Sequence, residues 1–398
     1  MRLRVGNDIL PPKFSHCLRA CGRLDSCIPV FNTISFWKFL VREKGLLGGL
    51  ATMLVFLTVG KHWLQQIEGM PSAMFFLLWL LAAILGCAFG VVRHADAVAL
   101  RLGEPLGTLI LTLSITGMEV SMVSAVMLSE KSNPVLARDT LFAVVMIVLG
   151  GLVGTALILG AFRHHQQEFN LEGAGAYLSL IVPLAVFALV MPDFTRTTVG
   201  PTFSTNQSGI LAILCVAIYI VFLGIQTVRH REFFANPNPV EAMEALPRSS
   251  LGASALLLVA CLVPVVILAE ELAIVLDFGT KHLAAPHPLA GVIVAALILA
   301  PEGLSAIRAA LDNQLQRSIN LLLGSALATI ALTVPAVLVV GILSDREVQL
   351  GLKMGDTVML CVMLSISVLT FGRGRTNLLQ GAVHLLVFLF WIALIFED

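Results

Sequence analysis

Long apolar runs alternate with short polar connectors along almost the whole chain. A helix that crosses a bilayer needs about 20 mostly apolar residues. Runs of that kind fall at 46–60, 71–92, 106–128, 139–162, 176–194, 208–228, 251–276, 288–310, 319–343, 356–372 and 378–396, the first being short. The pattern predicts an all-α polytopic membrane protein with about eleven transmembrane helices. Composition agrees: of 398 residues, 58% are apolar and only 13% charged, and the mean hydropathy is +0.93. Soluble globular chains do not show that balance.

The polar connectors carry the topology. Lys and Arg collect in cytoplasmic loops, and with the N-terminus inside, 18 of the 25 basic residues fall in inner segments. This orientation puts the N-terminus in the cytoplasm and the Glu397-Asp398 tail outside. Residues 1–45 read as a basic cytoplasmic tail, since they contain no apolar core and small-residue cleavage site of a secretory signal. Cys17, Cys21 and Cys27 lack the CxxC spacing of a zinc or redox site. Cys87, Cys215, Cys261 and Cys361 fall singly in apolar runs, where Cys behaves as a small hydrophobe.

Two runs break their own pattern. GTLILTLSITGMEVSMVSAVML carries Glu119 near its middle, and PLAGVIVAALILAPEGLSAIRAAL carries Glu302, 183 residues later. Sliding the chain on itself by that offset lays 71–92 on 254–275, 139–162 on 322–345 and 176–194 on 359–377. The pair 208–228 and 378–396 matches once a shorter loop is allowed. The chain therefore divides into the tail, a leading helix and loop at 46–70, a five-helix repeat at 71–228, a cytoplasmic linker at 229–250 and a second five-helix repeat at 251–398. An odd number of helices makes consecutive repeats enter the membrane from opposite sides, the inverted-repeat plan of many secondary transporters.

A charged side chain at the bilayer centre costs about 2.5–3.5 kcal/mol on insertion scales. Protonated or structurally bonded glutamates explain one such acid; equivalent acids in two repeats favour a functional site. Thr112, Ser114, Thr116, Ser121 and Ser124 surround Glu119 with hydroxyls. Pro301, ahead of Glu302, removes a backbone donor and is expected to break or bend its helix, freeing carbonyls near 298–300. Gly117 is a milder weakness of the same kind. The next run of the second repeat adds Asn320, Ser325 and Thr329 at helical spacing, with packing and ligation both open for each. Carboxylates and hydroxyls suit hard cations. Removing a carboxylate from water favours whatever neutralises it, a proton or a cation. Glu119 and Glu302 are thus the main candidates for a shared cation and proton site, with Thr116 and Ser325 beside them.

The segments VVRHADAVALRLGEPLGTLILTLSITGMEVSMVSAVML (91–128), ILAPEGLSAIRAALDNQLQRSINLLLGSALATIALTVPAV (298–337) and FGRGRTNLLQGAVHLL (371–386) resemble the bacterial ChaA-type sodium-potassium/proton or calcium/proton antiporters of the calcium/cation antiporter superfamily. The resemblance spans roughly 71–396. It implies a sodium/calcium exchanger-like fold, a bacterial inner-membrane location, and one acid per repeat on a broken helix, at Glu119 and Glu302. Calcium exchangers of the superfamily usually carry Asn three residues before each acid; Thr116 and Leu299 stand there, which leaves Ca²⁺, Na⁺ and K⁺ all open. The acidic stretch common between the halves is absent from 229–250, which holds only Glu232, Glu241 and Glu244.

Other polar groups have simpler explanations. Glu270 and Glu271, with Asp277 beyond, read as a solvated helix end ahead of an outer vestibule, and Asp193 and Asp356 as helix ends too. His384, well inside the last run, reads as bonded to a neighbouring helix ahead of a proton relay. Arg308 is expected to snorkel to the inner face. His94, Asp96, Arg101 and Glu104 read as a hydrated inner loop, with a gating role as the alternative. The chain lacks HExxH and GxxxxGK[ST], so an intramembrane enzyme is the weaker alternative and a cation channel the stronger. No cofactor and no nucleic-acid partner is expected, only transported cations, protons and lipid. Oligomeric state, a homo-oligomer included, is left open.

Overall fold

The computed structural model describes residues 41–67, 69–103, 106–128, 135–198, 200–234, 250–283, 285–286 and 288–397. The chain divides after Lys44 into two units; of the first only 41–44 are described, and the second, Gly45–Asp398, forms the helical body. Most of the expected tail, the cysteines Cys17, Cys21 and Cys27, Glu104, Asp398 and linker residues 235–249 lie outside the described residues.

The apolar runs are helices: α1 Lys44–Gly60, α2 Met70–Leu102, α3 Leu106–Leu128, α4 Leu136–His164, α5 Leu171–Phe194, α6 Thr205–Arg229, α7 Leu251–His282, α8 Pro288–Leu311, α9 Leu315–Leu343, α10 Met354–Phe371 and α11 Leu378–Ile395. Among the described residues, nine are at least 18 residues long and apolar enough to cross a membrane; α1 and the Leu109–Ala125 part of α3 are shorter apolar helices. Ser204 and Asn377 close capping boxes at the starts of α6 and α11, which satisfies backbone donors that the helix itself leaves open.

Two expectations are corrected. Helices α2 and α7 outrun their apolar segments, reaching Leu102 and His282 rather than 92 and 276. Hydropathy marks the part that must avoid water, while the backbone hydrogen bonds carry the helix on past it. His94, Asp96 and Arg101 are therefore on α2 and not in a loop, and Glu270 and Glu271 are inside α7 and not at its end. Nor is α8 broken: it runs unbroken from Pro288 to Leu311 with Pro301 inside, and α3 is continuous through Gly117. Proline deletes one donor, and a lipid setting offers the remaining peptide groups nothing better than their helical partners.

Connectors meet in two sets. On one face, Arg163 and His164 at the end of α4 meet Asp312 and Leu311, and Gln167–Glu168 pairs antiparallel with Arg375–Thr376. On the other, the Gly351 N–H donates to the Pro201 carbonyl (3.1 Å), the Leu352 N–H to that of Leu189 (2.9 Å), and Arg346 to that of Met127 (3.2 Å). The buried Arg138–Asp139 ion pair (2.8 Å) also belongs here, with Arg138 donating to the Gly351 carbonyl (3.1 Å). These are the two groups into which the charge alternation sorts the loops.

Wide π turns interrupt several helices, and two overlap on the repeat offset, starting one residue apart: Ile147–Leu152 in α4 and Thr329–Thr333 in α9. These two helices are central, far more deeply buried than α6 and α11. The apolar interior forms two large clusters. One joins α1, α2 and α7 to Met118 and Met122 of α3 and Val294, Leu297 and Ile298 of α8. The other joins α4–α6 and α9–α11 to Ala295, Leu299, Ala306 and Ala310 of α8. Helix α8 thus lies along the seam.

Close approach of α4 and α11 depends on glycine. A Cβ on Gly381 would meet the Gly154 carbonyl oxygen and the Ile158 amide nitrogen, both at 2.9 Å, and small residues are what let membrane helices pack so tightly. Gly381→Leu is expected to lower the thermal unfolding midpoint of the detergent-purified protein, with an overpacking penalty of roughly 1–3 kcal/mol. Gly175→Leu, where a Cβ meets nothing within 4 Å, is expected to leave it unchanged.

Candidate cation-binding site

Helix α3 delivers Glu119 to the π turn of α9. Its side chain is buried, with the residue only 4% exposed, and Oε2 accepts a hydrogen bond from the Thr329 hydroxyl at 3.0 Å. Thr333, one turn further on, lies close to the same carboxyl group. The π turn places both hydroxyls on the site, since its sequence TIALT spaces them by four. Glu119 Oε1, Thr333 Oγ1 and Thr116 Oγ1 are buried without a hydrogen-bond partner. Thr116 precedes Glu119 by three residues and so shares its side of α3.

Glu302 arrives from α8, 6% exposed, with Oε2 likewise lacking a partner and Ser325 of α9 beside it. The charge of Glu302 acts on Glu119, and α3 and α8 both pack on α9. All four candidates, Glu119, Glu302, Thr116 and Ser325, therefore lie in the α3–α8–α9 region, the acids beside Thr329 and Ser325 of the same helix. The halves differ chemically. On the repeat offset, Phe142 and Met146 stand in α4 where Ser325 and Thr329 stand in α9, and both are buried. Hydroxyls come from α3 and α9, and α4 offers none at the matching places. A buried polar atom left unpaired costs about 1–3 kcal/mol, so several beside two carboxyl groups mark a place suited to a hard cation or to protons.

The family model described as "Sodium/calcium exchanger protein" matches residues 72–228 and 253–397. The chain belongs to the sodium/calcium exchanger family. It is 40% identical over 335 residues to the sodium-potassium/proton antiporter ChaA of Escherichia coli, covering 83% of this chain and 91% of that one. It is also 40% identical over 330 residues to the putative ionic transporter y4hA of Sinorhizobium fredii, covering 82% and 90%. Among solved structures, that of native YfkE superposes with a TM-score of 0.71 at 19% identity, covering 89% of this chain and all of the other. This exchanger-family chain is thus a multi-pass membrane protein and an ion antiporter, not an enzyme.

Several polar residues of this exchanger take other parts. Asn320 and Gln316 bind the segment after α6, Asn320 donating to the Phe234 carbonyl (2.7 Å) and Gln316 to that of Phe233 (3.4 Å). Asn320 is thus an anchor. His384 is fully buried between Leu149 and Thr370. Glu271 is buried in α7, Glu270 is exposed, and Asp277 pairs with Lys281 (2.8 Å). Arg308 and Asp193 are exposed, and Asp356 sits in the first turn of α10. On α2, His94 is buried and Arg101 donates to Ser254 (3.2 Å).

Asp96 and Thr333 are the site neighbours that sequence reasoning undervalued. Asp96 has an exposed surface yet its charge acts on Glu302, while that of Arg317 acts on Asp96. Reading it as loop hid that relation. The TIALT spacing is the signal for Thr333. Among the described residues there is no group of three or more His, Cys, Asp and Glu side chains that could hold a metal ion. Thr329→Val is expected to weaken binding of the transported cation about tenfold, the scale of one hydrogen bond to a charged group. Thr329→Ser is expected to retain it; calorimetric titration of the purified protein measures both.

Proposed function

We propose that the protein is a secondary active antiporter that expels Ca²⁺, or Na⁺ and K⁺, in exchange for H⁺ across the bacterial inner membrane. The observation that carries this reading is the pair of buried, incompletely bonded carboxyl groups that α3 and α8 bring to the same helix, α9. Two such groups neutralise either two protons or one divalent ion with little difference in net charge. The ion that is bound then excludes the other, which is what coupled exchange requires. Relatives with proton-coupled names support the proton as counter-ion: the antiporter ChaA of Escherichia coli, and a Ca(2+)/H(+) antiporter of Bacillus subtilis at 22% identity over 329 residues.

The placement of the acids supports alternating access. Glu302 is on the seam helix α8 between two separately packed apolar bodies. Rocking of α1, α2 and α7 against the remainder would open the carboxyl groups first to one face and then to the other, the general behaviour of repeat-built transporters. The division into five-helix repeats at 71–228 and 251–398 rests on the matching π turns and on the two stretches matched by the family model. The excess of Lys and Arg in one set of segments supports a cytoplasmic N-terminus and an external C-terminus.

Purified protein in sealed vesicles containing a pH-sensitive dye tests the proposal. Adding Ca²⁺, Na⁺ or K⁺ in turn is expected to drive proton flux with at least one of them. Glu119→Gln and Glu302→Gln are each expected to abolish it, with elution on size exclusion unchanged. Full exchange by either glutamine variant would defeat the reading.

A further inference from the structure

At the places matching Ser325 and Thr329, α4 carries no hydroxyl, yet its π turn overlaps the place that Thr329–Thr333 holds in the other half. That turn reads IVLGGL, with no side chain able to donate or accept a hydrogen bond. Its support comes from outside. His384 of α11, 0% exposed, bonds through Nδ1 to the Leu149 carbonyl at 2.6 Å and through Nε2 to Thr370 Oγ1 of α10 at 3.0 Å. A carbonyl only accepts, so Nδ1 carries the proton and Nε2 accepts from the threonine hydroxyl. Both ring nitrogens are thereby occupied.

The turn so held borders the second acid. A Cβ on Gly303, the residue after Glu302, would meet the Leu152 side chain at 2.7 Å; Leu152 closes the same π turn. From the other side, α10 and α11 press on it closely enough that a Cβ on Gly150 would meet Met363 of α10 at 2.5 Å and Phe388 of α11 at 2.8 Å. A continuous path therefore runs from Thr370 through His384 to the Leu149 carbonyl, and through Leu152 to the backbone beside Glu302.

We propose that His384 is a positioning residue for the Glu302 half of the ion site, fixing the π turn of α4 against which α8 seats. It does for Glu302, through the backbone, what the hydroxyls of α9 do directly for Glu119. The proposal rests on the reading of Glu302 as an ion-binding group. A histidine that merely satisfied the core would affect the amount of folded protein and leave the affinity for cargo alone.

The vesicle assay with Ca²⁺ or Na⁺, whichever drives flux in the unaltered protein, separates the two. His384→Leu is expected to raise the half-saturating cation concentration about tenfold, the scale of one buried hydrogen bond, with the maximal rate within about twofold. His384→Asn, whose amide takes the place of Nδ1, is expected to restore affinity; His384→Gln, whose amide falls nearer Nε2, is not. Folded His384→Leu protein with unchanged half-saturation would overturn the proposal. Should the leucine variant fail to fold, equal half-saturation in the asparagine and glutamine variants would overturn it as well. Loss of exchange in Glu302→Gln beside unaffected His384→Leu overturns this proposal alone. Full exchange in Glu302→Gln overturns the site reading and this one with it.

Discussion

Two carboxyl groups that water cannot reach have to be neutralised by something. At mid-membrane the usual solvent is missing and each charge costs about 2.5–3.5 kcal/mol even on lenient scales, so the surrounding helices are arranged around that cost. Glu119 receives one hydroxyl bond, from Thr329, and Glu302 has Ser325 at its side. One oxygen on each acid remains without a partner. A fully bonded carboxylate would be a stable structural feature; an incompletely bonded one is poised to take a proton or a cation. Around them, α4 and α9 are the most buried of the long helices, and their wide turns overlap on the repeat offset.

The halves have diverged in how they meet this demand. In the second, the turn TIALT supplies its own oxygens. In the first, IVLGGL supplies none, and glycines admit α11 to within van der Waals contact so that an imidazole can reach the backbone. Both segments depart from the regular α-helix, which fits the frequent occurrence of π turns at functional sites. The asymmetry places the hydroxyls on the α3 and α9 sides, and so would give an ion bound there unequal neighbours.

Much of this was legible in the residues. Apolar runs located the helices, the offset of 183 paired Glu119 with Glu302, and basic residues sorted the connectors into the two sets that meet. Less legible was everything set by three-dimensional packing. Hydropathy ends where charge begins, so it truncated α2 before Asp96 and α7 before Asp277, although the helices continue. Pro301 suggested a break because local chemistry argues for one, while α8 keeps its remaining hydrogen bonds in surroundings that offer no substitute. The π turns have no sequence signature. Asn320 has the spacing of a ligand and the contacts of an anchor, a distinction that periodicity alone does not make.

Competition between metal and hydrogen ions for Glu119 and Glu302 is tested most directly by counting protons released when a cation binds. Calorimetric titration of the purified protein at neutral pH, in two buffers of different ionisation enthalpy, gives that count. Release of protons on binding, up to about two per divalent ion and absent when both acids are replaced by glutamine, is the expected result. Tight cation binding with no proton release, or binding that survives the double replacement unchanged, would contradict it.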